Sequence, residues 1–259
     1  MPKILASGKD ILGTNLNTQI IPCFHFLKSF FSTNEDLMYC IRLYPSILSI
    51  DYRSTLAANI ETLRDVGLPE RNIIYMVRRN PRVMLVQPRT FGEAVAKVLD
   101  IGFNPLETNF VKGIWAIRNS KLGWKEKMEV YKRWGLSEDD VLATFRTYPW
   151  CMITSAHKIM RVFEFFVNEM GCSSSIVMRA PPLVSLNLEK TIVPRCAVYQ
   201  VLRSKGLMKK DIGLTKLLMC TKKMFLKKYV EIYEEEAPEL LKLYQEKSGL
   251  SNQVDYNFE

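Results

Sequence analysis

The chain has 259 residues, 47% hydrophobic and 24% charged, which is enough apolar material for a substantial core and too much for a disordered segment. Its formal charge of +9, with a pI near 9.2, points to a polyanionic partner or an anionic surface. No apolar run approaches the roughly 20 residues of a membrane-spanning helix, so no membrane role is expected.

The charge is unevenly distributed. Residues 1–120 carry 14 basic and 10 acidic groups, residues 121–230 carry 20 and 9, and residues 231–259 carry 2 and 8. A basic centre followed by an acidic tail reads as a binding surface with a solvated end piece. Six cysteines, at 23, 40, 151, 172, 196 and 220, form no CxxC pair, so reduced and partly buried thiols are expected. His25 and His157 stand far apart in sequence, and neither a zinc site nor a cofactor is expected.

In chain order, "PKIL" already reads as repeat material, with no signal or transit pattern ahead of it; a targeting segment would lie outside this sequence. "RLYPSIL" (42–48) then sets an arginine three residues before a proline and an apolar turn after it. Asp51 is the expected N-cap of the next helix, on which Leu56, Ile60 and Leu63 share one face. Gly67 suits the left-handed position that closes that helix, and Pro69 the first turn of the following one. Ile73, Ile74 and Val77 give the second helix its buried stripe. That helix must stop before Pro81, because a residue preceding proline avoids the α region.

The same unit then recurs. "RRNPRVML" (78–85), "RTYPWCMI" (146–153) and "RAPPLVSL" (179–186) repeat the proline corner. Gly67, Gly102, Gly135, Gly171 and Gly206 repeat the helix end, at spacings of 35, 33, 36 and 35. Pro45 to Pro81 is 36 residues, and Pro81 to Pro149 is 68, or two units. Ser137 with Asp140 forms an approximate capping box ahead of Val141, Leu142 and Phe145. "KGIWAIRNSKLGWKEK" (112–127) is a degenerate unit without its proline, with Arg118 near the usual arginine position. A period near 35 in two independent anchors marks a stacked array. The expected architecture is an all-α solenoid in one repeat domain, 1–259. Its units run over about 2–44, 45–80, 81–112, 113–148, 149–180 and 181–228, with an acidic cap at 229–259.

The proline corner, the helix ending in Leu-x-x-x-Gly and the period resemble the mitochondrial transcription termination factor (mTERF) family. The plant organellar members are closest in "LRDVGLPERNI", "VYKRWGLSEDDVL", "FRTYPWCM", "FFVNEMG", "VPRCAVYQVL" and "EEAPELLKLYQEK". The resemblance covers about residues 2 to 250. It implies a left-handed superhelix of two-helix repeats with a 3₁₀ corner, and a basic concave groove for nucleic acid. It also implies a place in mitochondrial or chloroplast gene expression, in transcription termination or regulation or in RNA splicing and maturation.

Arginines in the last turn of the second helices offset the negative end of the helix dipole, worth about 0.3–1 kcal/mol each. Their recurrence once per repeat also suits a row of phosphates. The candidate nucleic-acid-binding residues are Arg42, Arg78, Arg79, Arg82, Arg118, Lys132, Arg133, Arg146, Lys158, Arg161, Arg179, Arg195, Arg203 and Lys205. Lys209, Lys210, Lys222, Lys223, Lys227 and Lys228 add to the basic centre. Double-stranded DNA is the first ligand to consider and RNA the second, with the protein acting as a monomer. Trp134 and Trp150 read as packing between repeats; Trp115 and Trp124 are open between packing and stacking. The methionines read as core. "GKDILG" (8–13) lacks phosphate-loop spacing, no catalytic signature is found, and no enzyme is expected. The alternative is a helical scaffold for protein partners, which predicts salt-insensitive binding. A pentatricopeptide RNA reader shares the period, but its recurrent pair of polar code positions is not found.

Overall fold

Proline and glycine cut the backbone at the sequence positions their chemistry dictates. The computed structural model describes residues 9–120, 123–208 and 213–249; Lys209 and Lys210 lie outside the described residues. Every regular element among the described residues is helical. The longer helices are α1 (Ile21–Phe30), α2 (Asn34–Leu43), α3 (Ala58–Asp65), α4 (Glu70–Arg79), α5 (Pro88–Asp100), α6 (Thr108–Asn119) and α7 (Trp124–Arg133). They continue as α8 (Glu138–Thr147), α9 (Ala156–Glu164), α10 (Ser175–Arg179), α11 (Val193–Ser204), α12 (Leu214–Met219), α13 (Lys222–Tyr229) and α14 (Glu239–Lys247). Single π turns lead into α1, α3 and α11, at Leu16–Ile20, Arg53–Ala57 and Leu188–Ile192.

The five repeat glycines all adopt the left-handed conformation, with φ between 63° and 88°. At Gly67 the Leu68 N–H reaches back to the Leu63 carbonyl and the Gly67 N–H to that of Arg64, which closes α3 as a Schellman cap. The same pair of bonds closes α5 at Gly102, α7 at Gly135 and α11 at Gly206. The residues after three of these glycines, Leu68, Phe103 and Leu136, are buried, so each cap is also an anchor in the core. Two local expectations shift by a residue or two. Pro69 is the N-cap of α4, not part of its first turn, and the Asp51 carboxylate accepts from the Arg53 N–H in the turn ahead of α3.

At the corners, the residues before proline are alike: Tyr44 (φ −146°, ψ 80°), Asn80 (−138°, 53°), Tyr148 (−140°, 80°) and Ala180 (−137°, 67°). All four sit outside the α region, as the following proline ring demands. The corner itself is a 3₁₀ turn at Pro45–Ser49, Pro149–Met152 and Pro181–Ser185, and one α turn at Pro81–Met84. The apolar residues behind each proline, such as Ile47, Met84, Met152 and Leu183, are buried.

A corner this short leaves its last carbonyls without helical partners. Side chains from the repeat before it supply the donors. Gln19 donates to the Ser49 carbonyl, Asn59 to those of Met84 (2.9 Å) and Val86 (2.8 Å), the Ser120 hydroxyl to Met152, and Lys158 to Ser185 (2.8 Å). Each acceptor series begins at the closing residue of a corner. Ser120 also ends α6 where the degenerate unit has no proline, its N–H bonding the Ala116 carbonyl at 2.9 Å.

The chain forms two compact units, Met1–Trp124 with Phe145–Ile153, and Lys125–Thr144 with Thr154–Glu259. The first is built around Phe91, Phe110 and Phe145, and packs Phe103 and Trp124 edge-on against Phe145 at 5.1 Å each. The second is built around Tyr131, Phe163, Phe166 and Phe225, with Trp134 stacked on Phe163 at 5.7 Å. Trp124 and Trp134 are thus packing residues. Met76, Met84, Met128 and Met152 are core, but Met219 and Met224 are exposed, contrary to the expectation for the methionines as a group.

Two outcomes check this account. Asn59 is fully buried, and Asn59→Ala should lower the unfolding free energy by ~2 kcal/mol in urea titrations, because two carbonyls lose their donor. Gly102→Ala should destabilise by ~1–2 kcal/mol at φ +88°, whereas Gly92→Ala, inside α5 with open space at its Cβ, should stabilise by ~0.5–1 kcal/mol. Equal signs for the two glycine variants would remove the cap assignment.

Candidate nucleic-acid interface

The basic residues separate into three groups by what their charged ends touch. Arg195, Lys158 and Arg146 are tied to backbone carbonyls. Arg195 is 4% exposed; its Nη1 donates to the Leu218 and Cys220 carbonyls at 2.7 Å each, and its guanidinium lies 4.9 Å from the centre of the Phe225 ring. It closes the end of α12 from inside the repeat, so its expected place in a phosphate row is corrected: a buried cation held by carbonyls and a ring face cannot reach a ligand. Lys158 holds a corner, as described above. Arg146 is exposed, but its Nη1 donates at 3.0 Å to the Ile101 carbonyl at the end of α5. The expected interaction with a helix dipole is therefore present, on the neighbouring helix of the unit and not on its own.

Arg78, Lys132, Arg161 and Lys205 face carboxylates. Arg78 pairs with Asp36 at 2.8 Å and lies 5.0 Å from the Tyr39 ring centre. Arg161 pairs with Glu189 at 2.6 Å, and Lys132 with Glu138 at 3.2 Å. Lys205 bonds the Glu236 carbonyl at 3.1 Å and the Glu239 carboxylate at 2.6 Å, and its bond to Glu239 holds that carboxyl below its usual range. These surface pairs are worth about 0–1 kcal/mol each, so a phosphate can compete for the cation at little cost.

Arg42, Arg79, Arg82, Arg118, Arg133, Arg179 and Arg203 have no acidic partner within 4.0 Å among the described residues. Arg42, Arg118 and Arg179 close the last turns of α2, α6 and α10, at the register the sequence repeats. Arg203 sits in the last turn of α11, 3.4 Å from the Tyr199 hydroxyl.

In the first unit the structure brings three of these together. A groove of about 660 Å³ opens where α2, α4 and α6 end, lined by Tyr44, Arg79, Asn80, Arg82, Trp115 and Arg118 along with Asn119 and apolar side chains. Its volume lies in the roughly 300–1,000 Å³ range of small-ligand sites. No carboxylate lines it. Three helix C-termini contribute about −0.5 charge each, which leaves about +1.5 against three full cations. Arg79 is braced by the Tyr39 hydroxyl at 3.0 Å, and Arg82 lies over the Tyr44 ring at 5.2 Å. Trp115 meets Trp150 edge-on at 4.6 Å, so one aromatic side chain fixes another that lines the groove.

Sequence reasoning identified these three arginines but not their meeting, because residues 79, 82 and 118 join only when a proline corner and a helix end are packed together. Tyr44 and Asn80 were absent from the expected site. Both directly precede a corner proline, and that placement is the signal that would have found them.

The sequence profile of the mTERF family matches residues 1–106 and 115–226. The chain belongs to the mTERF family. The break between the matched segments, residues 107–114, covers the start of α6 and runs into the degenerate unit. Two Arabidopsis thaliana relatives show the same kinship at low identity. One is named transcription termination factor MTERF15, mitochondrial: 25% identical over 237 residues, covering 90% of this chain and 52% of the relative. The other is named transcription termination factor MTERF8, chloroplastic: 22% identical over 229 residues, covering 88% and 43%. The mTERF chain described here thus spans about half the length of the curated relatives it matches.

Three buried cysteines of this mTERF protein are held as thiols. Burial pushes the Cys23, Cys40 and Cys196 thiols up to about 12, so they stay protonated at neutral pH. No group of three metal-binding side chains occurs among the described residues, and no helix there is long and apolar enough to cross a membrane.

Arg195 and Arg203 lie on the same helix and make opposite predictions. Arg195→Ala should lower the thermal midpoint by several degrees, since it strands two carbonyls and a packed ring. Arg203→Ala should leave the midpoint within about a degree, as an exposed substitution does. Thermal melts of both variants decide whether Arg195 is a structural residue.

Proposed function

We propose that this chain is a nucleic-acid-binding regulator of organellar gene expression that grips the phosphate backbone through its carboxylate-free arginines. The observation that carries this reading is the groove of the first unit, where Arg79, Arg82 and Arg118 converge with no acidic side chain in the lining. Arg42, Arg179 and Arg203, left without acidic partners at helix ends, extend the same chemistry. The names of the two relatives favour a role in mitochondrial or chloroplast transcription. Double-stranded DNA is the first ligand to test and RNA the second. Backbone charge and nucleic-acid shape, not base edges, would set affinity along the arginines.

Fluorescence anisotropy with labelled duplex DNA, single-stranded DNA and single-stranded RNA, titrated across about 50–200 mM salt, tests the proposal. If about six arginines each neutralise one phosphate of a duplex, log K should fall with log salt at a slope near −5. Arg82→Glu with Arg179→Glu should weaken binding at least tenfold and flatten the slope by about 2, with unchanged circular dichroism. Weak, salt-insensitive curves for all three ligands would reject the reading and favour a scaffold for protein partners.

A further inference from the structure

We infer that the groove of the first unit is a pocket for an unpaired nucleotide, its base on Trp115 and its phosphates on Arg79, Arg82 and Arg118. The inference rests on the nucleic-acid reading above and adds a ligand class to it. Cations alone would serve any polyanion. What narrows the choice is the aromatic lining. Trp115 and Tyr44 stand in the same recess as the three arginines, and Asn80 brings an amide that can both donate and accept. In an intact duplex each base face is covered by its neighbours, so a recessed indole needs an unpaired base, which a single-stranded segment offers without the cost of opening a pair.

Two features of the site show preparation for a ligand. Trp115 is held by Trp150 at 4.6 Å while it lines the groove, which fixes its ring before anything binds. A stacking platform already ordered loses little entropy on binding. Arg118 Nε, by contrast, is buried without an acceptor among the described residues. An unsatisfied buried donor is costly, and a small turn of the side chain onto a phosphate oxygen removes that cost. Arg79 and Arg82 are braced by Tyr39 and Tyr44 without being neutralised, so their charge remains available. The groove also offers what a flat basic surface lacks, a volume of about 660 Å³ into which a base can insert.

The test uses the full chain and three labelled probes: an adenine-rich 12-nucleotide single strand, the same strand with abasic sites at its centre, and a blunt duplex of that sequence. Wild type should bind the intact single strand about tenfold to a hundredfold more tightly than the abasic one, the effect of one stacked base. Trp115→Ala should remove that discrimination and leave duplex affinity within twofold; Trp115→Phe, which keeps a ring, should retain most of it. Because the abasic comparison is made on wild type, it does not depend on a variant folding. Tight binding of the single strand with no abasic discrimination overturns the pocket and leaves the phosphate grip standing. So does a Trp115→Ala variant, folded by circular dichroism, that discriminates as well as wild type. No salt-dependent binding of any probe overturns both.

Discussion

The four proline corners of this mTERF chain share one problem, last carbonyls that have no helical partner, and one solution to it. Proline forbids the α conformation in the residue before it, so Tyr44, Asn80, Tyr148 and Ala180 leave the helix at nearly the same φ and ψ. Corners of four or five residues cannot satisfy their own last carbonyls. The donors come from the preceding repeat: Gln19, Asn59, Ser120 and Lys158. A repeat is therefore incomplete until its neighbour is in place, and the polar bond fixes the register that burial of the apolar turns stabilises.

That constraint also sorts the cations. Some of the positive charge in a basic helical repeat is consumed by carbonyl ends: Arg146 on Ile101, Lys158 on Ser185, Arg195 on Leu218 and Cys220. A further share is balanced by nearby carboxylates such as Asp36, Glu138, Glu189 and Glu239. Among the candidate positions, those left with neither a carboxylate nor a carbonyl partner among the described residues are all arginines. Arginine suits the task, since its planar fork can lie over Tyr44 or Tyr39 and still present N–H groups to a phosphate.

The groove of the first unit follows from the same geometry. Three second helices, α2, α4 and α6, end there; of the arginines at the recurring register only Arg118 lines the groove, and α4 adds Arg79 from the position beside Arg78. The corner of Pro81–Met84 contributes Arg82, and the degenerate unit, which has no proline, contributes Trp115 and Arg118. Trp115 and Arg118 stand three residues apart on α6 and so share one face of it.

The period, the helix ends and the helical class could all be read from the residues along the chain. Those are local properties: a left-handed glycine, a pre-proline residue and an i, i+3, i+4 apolar stripe are each decided within a few residues. The residues also show which cations exist and that they recur once per unit. Which of them keep an unpaired charged end is set by packing between distant residues. Arg195 and Arg203 are eight residues apart on one helix and look alike in sequence, yet one is sealed among carbonyls and a phenyl ring while the other is exposed. The difference lies in residues 218, 220 and 225, which reach Arg195 only through folding. For the same reason the meeting of Tyr44, Arg79, Arg82, Trp115 and Arg118 was invisible in the chain. A solenoid's local rules repeat, but a recess is made by side chains from different repeats, and packing alone brings them together.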